Sequence, residues 1–178
     1  MSVIAGLIHN GITCVATDSQ LNWGDNDCET RGHKFLSVPG DSFLIGAAGD
    51  DYLSQLVEEA IIENKIEPPK SKRDIRKLCI AIKVKFDEAS VTRDPTSGVP
   101  IYDFELLVAS SGKLFVVEAN FCIYEASKYT AIGSGSTVVM SALDMFGGKA
   151  QPHHLKRAMA IATKRHAECG GKIHIRSI

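Results

Sequence analysis

Residues 3–8 and 12–16 are two short apolar runs separated by His9-Asn10-Gly11. Asn-Gly between such runs is the strongest short hairpin signal, because both turn residues tolerate positive φ. The chain is therefore committed to a sheet from its first residues, and residue 2 stands at a strand end on rigid structure. A secretory leader is excluded on the same grounds. No basic segment precedes the apolar residues of MSVIAGLIHNG, and the turn arrives within ten positions.

Beyond this hairpin the sequence alternates between two periods. The Asn-, Asp- and Gly-rich segment 20–32 reads as a loop, followed by strand-like runs at 34–38 and 42–48 joined by the turn triplet Pro39-Gly40-Asp41. From Asp50 the spacing becomes helical: Leu53, Leu56, Val57, Ala60 and Ile61 share a face, with Asp50 and Asp51 at the end where acids suit the helix dipole. Pro68-Pro69 ends that helix, and a second runs from about 72 to about 90 with Ile75, Leu78, Cys79, Ile82 and Phe86 on one side. Residues 94–100 form a loop. A hairpin follows at 104–109 and 113–119 around Ser110-Ser111-Gly112, with short extended pieces at 121–124 and 128–132. Two more helices occupy roughly 136–146 and 152–168, divided by Gly147-Gly148 and opened by Pro152, and a strand at 172–177 ends the sequence. Strands, two helices, strands, two helices, strand: this order suggests an α+β fold of two antiparallel sheets with helix pairs layered outside. At 178 residues, with no repeat and no linker, one domain spans 1–178.

Composition narrows the function classes. A net charge of −1, from 20 Lys+Arg against 21 Asp+Glu, gives no electrostatic case for nucleic acid or a membrane surface. No apolar run approaches the length of a membrane span. The five cysteines are odd in number and widely spaced, with no CxxC pair. They read as reduced thiols of a cytoplasmic protein, not as a disulfide framework or a structural zinc site.

Several residues could carry chemistry. Ser2 becomes N-terminal once Met1 is removed. Its α-amine would then titrate near ~8 and could take the proton of its own hydroxyl, making a nucleophile. Ser is a common second residue, so position alone decides nothing. Asp18 closes the second strand in VATDSQ, Lys34 opens the third in RGHKFL, and Gly46-Ala47-Ala48-Gly49-Asp50 closes the fourth. A lysine there can be a plain edge charge. Near the nucleophile it would lower the amine's pKa and stabilise negative charge, with Asp18 neutralising it. The glycines would bring backbone N–H groups close to a substrate carbonyl. His153-His154 resembles a metal pair, but adjacent side chains point apart, so both read as surface residues. Trp23, in NWGDND, either lines a groove or packs between subunits. The GSG of 133–135 lacks the lysine and βαβ unit of a phosphate loop.

Together these residues resemble the proteasome β subunits and the bacterial proteasome-like peptidase HslV. The family pattern has an N-terminal nucleophile opening a strand, Asp-Ser closing the next, Lys opening the third, and a Gly-Ala-Gly-like turn before the first helix. Ser2, Asp18-Ser19, Lys34 and Gly46 to Asp50 stand at those separations, with Gly49 in the oxyanion turn. YTAIGSGS, residues 129–136, is similar to the family's AIGSG motif and makes Ser134 the serine that assists the amine. HAECGGKIHI resembles its last helix, Gly-Gly turn and final strand. The resemblance implies an αββα sandwich, stacked rings of identical subunits, peptide-bond hydrolysis in an enclosed chamber, unfolded polypeptide substrates, and an AAA+ ATPase unfoldase as partner. It implies no required cofactor. Two departures stand out. The family's usual nucleophile is Thr, whose methyl restricts its rotamer. The carboxylate of the last helix's terminal turn is matched by His166. HslV also lacks that carboxylate and can hold a monovalent cation such as Na+ through backbone carbonyls, for which Thr163, His166 and Cys169 are the equivalents. Two other readings remain: a catalytically silent ring subunit, and an N-terminal-nucleophile amidase acting on a small molecule.

Overall fold

The computed structural model describes residues 2–23, 27–30, 34–91 and 102–178, with the side chains of 22, 23 and 27–30 excepted. The elements run β1 (Ile4–His9), β2 (Ile12–Thr17), β3 (Gln20–Trp23), β4 (Asp27–Thr30), β5 (Leu44–Gly49), α1 (Asp51–Glu63) and α2 (Lys72–Glu88). Then come β6 (Phe104–Ser110), β7 (Lys113–Val117), β8 (Ile123–Ala126), β9 (Tyr129–Ile132), α3 (Ser136–Asp144), α4 (Pro152–Arg165) and β10 (His174–Ser177).

Local chemistry accounts for the main turns. Asn10 and Gly11 have φ of 51° and 78°, so the β1–β2 hairpin closes through two left-handed residues, with Ile4 opposite Thr17 and His9 opposite Ile12. Ser111 and Gly112 do the same for β6 and β7, at 50° and 73°. Asp50 caps α1 by accepting from the amides of Tyr52 and Leu53, and Ser71 caps α2 through the amide of Asp74.

Two four-stranded antiparallel sheets result, ordered β10-β2-β1-β9 and β5-β6-β7-β8. Three apolar layers hold them. Alternation along the first strand sends Val3, Ala5 and Leu7 outward against α3 and α4, where they meet Val139, Leu155 and Met159. Ile4 points inward and packs with Val15, Leu107 and Leu114 between the sheets. On the far side Ile45, Leu106 and Val108 meet Leu56, Leu78 and Phe86 of α1 and α2. The order helix pair, sheet, sheet, helix pair is the αββα sandwich. No helix among the described residues is long and apolar enough to cross a membrane.

The segment expected as a loop at 20–32 contains instead a two-stranded ribbon, β3 with β4, pairing Gln20 with Thr30 and Trp23 with Asp27. Trp23 thus ends a strand, and its side chain lies outside the described residues. The strand expected at 34–38 shrinks to a single bridge between Phe35 and Gly46, flanked by Leu36 N–H to Ile45 O and Ala47 N–H to Lys34 O. The Pro39-Gly40-Asp41 turn draws the chain away before pairing continues. Both late helices stop short of expectation, at Asp144 and Arg165; the second ends because His166 turns extended, φ −109° and ψ 120°. The expected 94–100 loop lies outside the described residues.

His154 is more than a surface residue. Its ring stacks on Phe146 at 3.8 Å and 11°, and its Nδ1 accepts from the Gln151 amide at 3.1 Å, closing the first turn of α4. His153 is exposed.

Candidate active site

Ser2 sits at the entrance to the first strand and is 4% exposed. The next residue ties it down: Val3 N–H donates to Asp18 Oδ1 at 3.1 Å, and Asp18 N–H donates to Val3 O at 3.1 Å. The hairpin register brings Asp18, one residue beyond the end of β2, to this point. Its carboxylate is fully buried and must therefore be satisfied by donors. Among the described residues it has three: Val3 N–H, Gly170 N–H to Oδ2 at 3.1 Å, and Lys34 Nζ to Oδ1 at 2.6 Å. Gly170 comes from the Gly-Gly turn before β10, so the chain's last strand completes the cradle.

The side chain of Lys34 is 8% exposed. Burial holds its ammonium below the ordinary lysine value of 10.5, with the Asp18 charge and hydrogen bond opposing that shift. The structure thus keeps a desolvated cation beside the Ser2 strand, paired with Asp18. Such a pair acts on neighbouring charges more strongly than an exposed one.

Ser134 arrives from the other side. The turn 133–135, between β9 and α3, wraps the Ser2 carbonyl: Ser134 Oγ–H and Gly135 N–H both donate to it at 3.3 Å. Gly133 has φ of +81°, and a Cβ there would run into the same carbonyl, so only glycine fits. The GSG triplet is therefore a clamp on Ser2. Behind it Cys169 Sγ lies 3.9 Å from Ser134 Oγ and 3.8 Å from His166 Nδ1. Burial first, and then the nearby Asp18 charge, push the Cys169 thiol up to about 11, so it stays a neutral thiol.

Gly49 ends β5 across a cleft from Ser2. Its φ is +111°, and a Cβ would collide with the Asp103 carbonyl. Ser2, Lys34 and Gly49 open onto a cavity of about 230 Å³, walled on the far side by Ser54, Gln55 and Glu58 of α1. A second cavity of about 350 Å³ shares Ser2 and Gly49 and adds Glu105, Gly133 and Ser134.

Ser2, Asp18, Lys34 and Ser134, scattered over 133 positions of sequence, thus meet at one end of β1. Cys169 and His166 stand behind Ser134. Thr163 lies within α4, its hydroxyl donating to the Ala160 carbonyl at 3.2 Å. Met1 lies outside the described residues. Two contributors, Gly170 and Glu105, were not singled out from sequence, and Ser19 was named only within the Asp18-Ser19 pair. Ser19 accepts from Lys172 N–H at 2.8 Å and anchors the last strand's approach. Gly170 donates to Asp18. Glu105, the one charge in the apolar run FELLVAS, accepts from Gly133 N–H at 2.7 Å. That lone charge was the legible signal.

A hydroxyl held at a strand end, a buried ammonium–carboxylate pair, a second hydroxyl and an open cleft are the parts of a nucleophilic hydrolase site. No protein-family model and no curated protein matches the sequence. Solved structures do match in shape. BPH from Thiobacillus denitrificans, in complex with epoxomicin, is 18% identical, with 99% of this chain and 97% of that chain covered at a TM-score of 0.83. Eukaryotic HslV from Trypanosoma brucei is 19% identical over 98% of each chain, at 0.72. Anbu (ancestral beta-subunit) from Yersinia bercovieri is 15% identical over 98% of this chain and 80% of that one, at 0.74. The chain has the fold of the proteasome-type N-terminal-nucleophile β subunits.

Proposed function

We propose that the protein is a peptidase subunit whose nucleophile is the Ser2 hydroxyl, with the Ser2 α-amine as base after removal of Met1. The observation that carries this reading is the convergence of Ser2, Lys34, Asp18 and Ser134 beside an open cleft. In the proposed cycle the amine takes the hydroxyl proton as Ser2 Oγ attacks the scissile carbonyl. The oxyanion gathers at the Gly49 turn, and the Lys34 ammonium stabilises the developing negative charge. The C–N bond then breaks, the leaving amine accepts the proton, and an ester remains on Ser2. Water, deprotonated by the same amine, hydrolyses that ester and restores the site. No step requires a cofactor. Thr163 lies in the last turn of α4 and His166 and Cys169 follow it, where helix-end carbonyls lack intrahelical partners, so these three carbonyls would be the donors to a monovalent cation. The His166 carbonyl already accepts from Cys169 N–H at 3.1 Å, which leaves one lone pair for a monovalent cation such as Na+.

We further propose that identical subunits close into stacked rings with Ser2 facing an inner chamber. An unspecific peptidase in the cytoplasm is hazardous unless its nucleophile is sequestered, and closed symmetry builds such a compartment. Exposed apolar side chains on the helical layer support association: Ile62 on α1, and Ile80 and Val84 one turn apart on α2. Unfolded polypeptides are the substrates such a chamber admits, and an AAA+ ATPase unfoldase is the partner that would supply them.

The expected outcome is cleavage of small fluorogenic peptides by the isolated particle. Folded proteins should resist until an ATP-driven unfoldase is added, and light scattering should report a dozen or so subunits. A fully active 19.3 kDa monomer at nanomolar concentration would overturn the compartment and favour a small-molecule amidase.

A further inference from the structure

We infer that Glu105 is a positioning residue of the catalytic site: its carboxylate holds the Gly133-Ser134-Gly135 turn against Ser2. The inference rests on the reading of Ser2 as nucleophile. Glu105 faces Ala48 across the β5–β6 ladder, and it is the only charged residue on β6, whose other side chains are all buried. Glu105 itself is half-buried, and its carboxylate has a specific partner. The partner is the backbone amide of Gly133, which donates to Oε2 at 2.7 Å, a short charge-assisted bond.

That amide belongs to the turn whose next two residues grip the Ser2 carbonyl through Ser134 Oγ–H and Gly135 N–H. Gly133 adopts a left-handed conformation, φ +81°, packed so closely on the Ser2 carbonyl that no Cβ fits. The turn therefore has contacts on two sides, Ser2 on one and Glu105 on the other. Within it, no other side chain bonds to the Gly133 amide among the described residues. Glu105 also opens onto the cavity shared by Ser2, Gly49 and Ser134, so the turn it braces forms a wall of the reaction space. Without the carboxylate the Gly133 amide loses its acceptor, the turn relaxes toward the cavity, and both Ser134 and the Ser2 carbonyl lose their fixed placement. Misplacement of catalytic groups by about an ångström commonly costs on the order of 100-fold in rate. Glu105 acts through the turn, its bond being to the Gly133 amide, so its effect should fall on kcat more than on KM.

The test compares Glu105→Ala and Glu105→Gln with the wild type on one fluorogenic peptide, alongside hydrogen exchange of the 133–135 amides. Glu105→Ala should lower kcat about 10- to 100-fold with KM unchanged within about twofold, and the Gly133 amide should exchange faster. Glu105→Gln keeps an acceptor oxygen and should restore most of kcat and the amide's protection. Equal kcat in wild type and Glu105→Ala would overturn the assignment while leaving Ser2 in place. A fall in the alanine variant that Glu105→Gln does not rescue would also overturn it, because the charge and not the turn would be at work. A wild-type particle with no hydrolysis of any peptide would overturn both readings together.

Discussion

Ser2→Ala is expected to abolish peptide hydrolysis and covalent labelling by a peptide epoxyketone while leaving assembly and folding intact. The substitution removes one oxygen from a side chain at the cleft. Among the described residues, the hydrogen bonds that hold the strand in place use other atoms: the Ser2 carbonyl, the Val3 amide and the Val3 carbonyl. Nothing structural therefore depends on the hydroxyl, whereas the proposed chemistry depends on it entirely. Loss of a nucleophile can exceed ~10⁶-fold in kcat. Ser2→Thr should preserve or raise the rate, because the added methyl narrows the rotamer choice of the hydroxyl. Full activity in the alanine variant would remove Ser2 from the mechanism and require a different nucleophile.

Lys34→Ala should produce the second-largest effect, at least about 100-fold in kcat, the scale set by removing one preorganised charge. A stability loss should accompany it, because Asp18 would keep its two amide donors but lose the one cation that pairs with it among the described residues. Breaking a buried pair in this way costs about 3–5 kcal/mol. Activity and melting temperature must therefore be measured together. Lys34→Arg should fail to rescue the rate, since a planar guanidinium does not fit a site shaped to an ammonium 2.6 Å from one carboxylate oxygen.

The depressed pKa of Lys34 adds a pH signature. The folded protein binds this proton less tightly than the unfolded chain, so between the lowered value and 10.5 the unfolded state holds more protons. This group's contribution to stability therefore rises with pH through that window. Its charge is lost over the same window, so activity should fall on an alkaline limb that lies below 10.5. A rate profile that stays flat past 10.5 would remove the ammonium from the mechanism.

Much of this was legible in sequence because it depended on local chemistry. Asn10-Gly11 and Ser111-Gly112 dictate hairpins through positive φ, and the apolar spacing of α1 and α2 dictates which faces are buried. The convergence of Ser2, Asp18, Lys34 and Ser134 was legible only as joint spacing, since no local rule links residues 2 and 134. What escaped was structure held by context. The β3–β4 ribbon is built from two four-residue segments, QLNW and DCET, set in an Asn-, Asp- and Gly-rich stretch whose turn preferences conceal their pairing. Segment 34–38 reads as a strand by composition but pairs only where Phe35 meets Gly46. The partners of Asp18 and Gly133 come from Gly170 and Glu105, 152 and 28 residues away; the lone charge of FELLVAS is visible in sequence, but the group it bonds is not.

The central claim is that a free Ser2 amine and hydroxyl perform the reaction. Intact-mass spectrometry of the active particle, before and after treatment with a peptide epoxyketone, tests it most directly. The chain should lack Met1, gain one inhibitor per subunit, and carry it on Ser2 in the fragment spectrum. A fully active particle that retains Met1, or an adduct on any other residue, would contradict it.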